Sequence, residues 1–99
     1  MATFVQLINW TDQGVRTARE TTARADAYSQ LLERMGGRLK DVYWTLGQYD
    51  IVAIVEAPDD AAITAASIQV AGGGNVRTTT LRGFSRDETD QILAKTEQA

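Results

Sequence analysis

The residues best equipped for chemistry fall in three places: the run Gly47-Gln48-Tyr49-Asp50, the tryptophans Trp10 and Trp44, and Arg77. Asp50 is a candidate general base if burial beside aromatic rings raises its pKa, and Tyr49 is a candidate donor to a ligand oxygen. The same run also makes a good turn, in which Gly47 accepts positive φ, Asp50 caps backbone N–H groups and Tyr49 packs. If a strand begins at Tyr49, alternation sends Tyr49 and Asp50 to opposite faces and separates them as a dyad. Trp10 and Trp44 are candidate walls of an apolar pocket with indole donors, or else packing residues of a core or subunit interface. Arg77 can hold an anionic group bidentately, or stand in water as protection of an edge strand. Gln6, on the face of Phe4, Ile8 and Trp10, is a further polar residue able to line a cavity.

What is missing narrows the chemistry. The chain of 99 residues has no histidine and no cysteine. Disulfides, thiol nucleophiles, histidine-based triads and thiolate or imidazole metal sites are therefore excluded. Proton transfer near neutral pH would need a strongly shifted Asp, Glu, Tyr or Lys. Asp59-Asp60 reads as a helix cap, since two adjacent carboxylates make no oxygen cage, so no metal site is expected. The glycines at 72 to 74 follow a helix and lack GxGxxG spacing, and no other cofactor motif is present. Arg16, Arg19 and Arg24 read as a solvated helix flank. With 10 basic and 13 acidic residues, a nucleic-acid-coating surface is not expected. Apolar runs are too short to span a membrane and the N-terminus lacks a signal-type core, which points to the cytoplasm.

These residues need a scaffold. Thr3–Trp10 reads as a strand, and Ala27, Tyr28, Leu31, Leu32 and Met35 recur at helical spacing until Gly36-Gly37. Val42–Leu46 and Ile51–Ala57 read as two strands of an antiparallel hairpin. After Pro58, an Asp59 or Asp60 cap opens a helix with the small-residue stripe Ala62, Ile63, Ala66 and Val70. Asn75–Arg82 reads as the fourth strand, and Ser85 to Glu88 matches a capping box that starts a short final helix. The order β-α-β-β-α-β is the α+β, ferredoxin-like pattern: a four-stranded antiparallel sheet with two helices on one face. The division expected is a domain over residues 1–84 and a helical tail over 85–99. Ile51, Ala53 and Val55 alternate with Val52 and Ile54, so this strand is apolar on both faces. Two helices cover one face only, and a second copy of the sheet is the simplest cover for the other.

Four stretches carry a resemblance to a known family: Trp10 to Gly14, Thr45 to Asp50, Glu56 to Asp60 and Gly74 to Thr78. In this order they resemble the GYD domain family, whose name-giving Gly, Tyr and Asp match Gly47, Tyr49 and Asp50. The resemblance implies a dimeric α+β barrel of ferredoxin-like subunits, a homodimer or higher oligomer, and supplies a fold more than an activity. A looser likeness, at the same hairpin, is to the amino-acid-binding domain of leucine-responsive-type regulators, which implies ligand binding but not DNA binding. The expectation is an oligomeric domain that binds a small molecule in the barrel cavity or at the subunit interface, without a cofactor. The candidate ligand residues are Trp10, Trp44, Tyr49, Asp50 and Arg77. The alternatives are a cofactor-independent enzyme (oxygenase, isomerase or decarboxylase type) acting on an aromatic or carbonyl compound, and a structural or assembly module.

Overall fold

The computed structural model describes residues 1–97; the last two residues of the expected tail lie outside them. Strands β1 (Ala2–Trp10), β2 (Arg38–Trp44), β3 (Ile51–Ala57) and β4 (Val76–Gly83) form one antiparallel sheet in the order β2-β3-β1-β4. Helices α1 (Asp12–Arg16), α2 (Thr21–Arg34), α3 (Asp60–Gly72) and α4 (Arg86–Thr96) complete the chain. This is the ferredoxin-like α+β architecture, with α4 added. No helix among the described residues is long and apolar enough to cross a membrane.

One face of the sheet is closed by α2 and α3. The register aligns Phe4 with Val55, Gln6 with Ala53 and Ile8 with Ile51, and all six side chains are buried. From α2, Tyr28, Leu31 and Leu32 pack onto them, and from α3, Ile63 and Ala66. Asp59 caps α3 by accepting from the Ala62 N–H at 2.9 Å, which satisfies an orphan donor of its first turn.

One polar residue sits at the centre of this core. Gln6 is wholly buried, and its amide nitrogen donates to Ser67 Oγ (3.0 Å) and Thr80 Oγ1 (3.1 Å) while Tyr28 Oη–H donates to its carbonyl. The network ties β1, α2, α3 and β4 together, so Gln6 is a core tether rather than a lining residue. Burial pushes the Tyr28 phenol up to about 12, against the smaller opposing effect of its hydrogen bonds to Gln6 and Ser67.

Two expectations shift. β2 starts at Arg38 and stops at Trp44, rather than covering 42–46. Its first residues are mostly polar because it is an edge strand, with an irregularity between Leu39 and Asp41 that breaks simple alternation. The polar stretch before Ala27 is also structured: α1, a 3-10 turn at Ala18–Glu20 and the first turns of α2 fill it. Arg24 is no free flank residue. Its guanidinium donates to the Thr17 carbonyl (3.1 Å), Thr17 Oγ1 (2.9 Å) and the Gly14 carbonyl (3.2 Å), joining α2 to α1.

The final helix has the expected capping box: Glu88 N–H donates to Ser85 Oγ and Ser85 N–H to Glu88 Oε1. No residue of α4 is buried. Its base is held by Arg82, which lies over the Phe84 ring at 4.6 Å, over Phe4 at 5.7 Å, and pairs with Glu88 at 3.4 Å.

Candidate functional site

The hairpin between β2 and β3 places Asp50 against the end of β1. Asp50 Oδ2 accepts from the Trp10 backbone N–H at 2.9 Å, and the Asp50 N–H donates to the Ile8 carbonyl at 2.9 Å. Gly47 has φ +110°, which an L side chain rarely adopts, and Thr45 closes the turn through Asp50 O and Tyr49 O. The strand starts at Ile51, so Tyr49 and Asp50 belong to the turn. Asp50 therefore uses its carboxylate to extend the pairing of β1 beyond the sheet.

The register brings Trp10 and Trp44 to the same end of the sheet. Ile8 pairs with Ile51, Ile51 with Trp44, and Trp10 lies two residues beyond Ile8 on the same strand. Trp44 is exposed and its indole N–H donates to Thr21 Oγ1 on α2 at 3.0 Å. The Trp10 indole nitrogen is buried and has no acceptor among the described residues.

The motifs at Trp10 to Gly14 and Gly74 to Thr78 meet at this end too. Thr11 N–H donates to Asn75 O at 3.0 Å, and Gln13 Nε2 reaches Gly73 O and Asn75 Oδ1, each at 3.0 Å. A Cβ on Gly14 would stand 1.9 Å from Asn75 O, so this contact admits glycine alone. Together with Asp50, these residues bind the ends of β1, β3 and β4 to one another.

Arg77 stands opposite Asn9 on the edge strand β4, and its guanidinium turns back toward α3, donating to its neighbour's carbonyl, Val76 O (2.8 Å), and to Ala71 O (3.3 Å) at the end of that helix. It borders a shallow groove of about 340 Å3 between α3 and β4. None of the five candidate ligand residues lines the other cavity, of about 350 Å3, which lies between α2, α3 and the sheet. Its floor is apolar, from Ile8, Ile51, Ala53 and Val76, with Leu31 and Val70 as helix walls. Arg24, Arg34, Gln69 and Asn75 stand among its polar lining residues. The stripe Arg24, Ala27, Leu31, Arg34 runs down one face of α2 at helical spacing. That spacing was readable, but its apolar members also fit ordinary core packing.

Among the described residues, no helix lies on the other face of the sheet. Val5, Leu7, Val52 and Ile54 lie half-buried at its centre, with Tyr43 (59% exposed) and Leu81 (47%) beside them. At its rim Arg38 pairs with Glu56, and that hydrogen bond holds the Glu56 carboxyl below its usual range. An apolar centre with a polar rim is the anatomy of an interface.

Fold and surfaces together define a small ferredoxin-like α+β domain with one helix-covered face, one open face and an apolar inter-helix cavity. The GYD domain family matches residues 4–93, and the chain belongs to it. A curated relative from Thermus thermophilus, named "Glutamine synthetase and cystathionine beta-lyase binding protein", is 40% identical over 85 residues, covering 85% of this chain and 90% of that protein. The crystal structure of TTHA0845, also from Thermus thermophilus, is similar with a TM-score of 0.55 at 25% identity, over 86% of this chain and 95% of that one.

Proposed function

We propose that this chain is a binding module that pairs with a second copy of itself through the open sheet face and docks on a partner enzyme. The observation that carries the reading is that face: Val5, Leu7, Val52 and Ile54 form a contiguous apolar centre that no element among the described residues covers. The name of the Thermus relative supports an enzyme partner, and glutamine synthetase and cystathionine β-lyase are the first two to try. Leu46, 102% exposed at the hairpin tip, is an apolar anchor off the paired face. Purified chain is titrated against each enzyme by biolayer interferometry, with Leu46→Ser alongside. Saturable binding to one enzyme, weakened in the variant, is expected; binding to neither overturns the enzyme partner.

A second reading, small-molecule binding, is favoured by the 350 Å3 cavity between helices and sheet, which is of the size that small ligands occupy. Catalysis has less support, because Asp50 and Arg77, the groups best suited to polarise a substrate, spend their hydrogen bonds on backbone.

A further inference from the structure

The inter-helix cavity has a charge pattern unlike the rest of the molecule. The chain carries a net charge of −3, yet among the described residues Arg24 and Arg34 are the charged ones on this cavity wall, and no Asp or Glu lines it. Arg24 is spent on the carbonyls of α1. Arg34, in the last turn of α2, is exposed, and among the described residues no ion pair engages its guanidinium. Asn75 accepts from Gln13 through Oδ1, which leaves its amide nitrogen as a donor on the same lining. Below these groups the surface is aliphatic, from Leu31, Val70, Ile51 and Ala53.

We propose that this cavity binds a small molecule with an apolar body and one carboxylate: the body lies on the aliphatic floor and the carboxylate meets Arg34. The inference rests on the small-molecule reading above and names the ligand class for that site. Guanidinium and carboxylate match as a planar, charge-assisted pair, whereas a cationic head would face an arginine without a counter-charge. The apolar floor supplies affinity without head-group specificity, so charge preference falls to Arg34.

The test uses the full chain and four probes, octanoate, octanamide, octylamine and acetate, by calorimetry and thermal shift. Octanoate is expected to bind, octanamide about tenfold more weakly, the scale of one charged contact at an exposed rim, and octylamine and acetate not detectably. Arg34→Gln should bring octanoate down to the affinity of octanamide. Ala27→Phe, at an exposed helix position beside the cavity, should abolish binding of both. Equal affinity for octanoate and octanamide, unchanged in Arg34→Gln but lost in Ala27→Phe, overturns the carboxylate while leaving a small-molecule site. Absence of binding by every probe overturns both. If Ala27→Phe instead shifts the oligomer mass in light scattering, the cavity receives another chain and the proposal fails.

Discussion

The two faces of the sheet are built from alternate residues of the same strands, yet they meet different surroundings. Toward the helices, Phe4, Ala53, Val55 and Ala57 are at most 3% exposed and the one polar group, Gln6, is fully bonded. Toward the outside, Val5, Leu7, Val52 and Ile54 share the same apolar chemistry without the same cover. The β1–β3 pair is central in the sheet, so this difference cannot be assigned to edge effects. It teaches that apolar composition alone does not decide burial here: equally apolar strand faces differ in whether helices lie over them.

Substitutions on the covered face should cost most. Leu32 is 1% exposed, and Leu32→Ala is expected to lower the unfolding free energy by about 3 kcal/mol, through lost burial and the cavity it leaves. Urea denaturation measures this directly. Tyr28→Phe should cost about 2 kcal/mol at neutral pH, because the Gln6 carbonyl loses its donor in a dry site. It also carries a pH signature. Folding raises the phenol from 10.0 to about 12, so the unfolded chain gives up this proton first. The contribution is whole below pH 10 and falls away as pH climbs toward 12. Wild type should therefore lose more stability than Tyr28→Phe between pH 9.5 and 12; parallel curves would show that Tyr28 is not the buried group.

How much of this was legible in the sequence depends on whether neighbours along the chain or across it decide. Alternation in Ile51–Ala57, the cap at Asp59 and the Ser85–Glu88 box are local patterns, and the structure repeats them. Arg38 to Asp41 concealed an edge strand, because the register shift between Leu39 and Asp41 interrupts the alternation. The candidate site was least legible. Trp10, Asp50 and Asn75 lie far apart in sequence, and only register shows that the Trp10 backbone N–H, the Asp50 carboxylate and the Asn75 oxygens join strand ends. Asp50→Ala removes the acceptor for the Trp10 N–H, and a loss of about 1.5 kcal/mol in thermal or urea unfolding is expected. An unchanged midpoint would return that carboxylate to the list of groups available for a ligand.

The open face gives the smallest stability effect within one chain and the sharpest test of the comparison. Val52 lies on central β3, half-buried, with its side chain away from the helices and opposite Leu7 and Tyr43. A lysine there keeps its stem on the sheet and sends its ammonium to water, so Val52→Lys should cost a single chain only about 0.5–1 kcal/mol. Between two copies the same ammonium would be buried near a symmetry axis against its own likeness, which pairing does not tolerate. Light scattering should then show the mass of two chains for wild type and of one 10.8 kDa chain for the variant. The wild-type melting temperature should rise with protein concentration, and that of the variant should not. If wild type has the mass of one chain at micromolar concentration, the apolar open face is not covered by a second copy, and the pairing half of the proposed function falls with it.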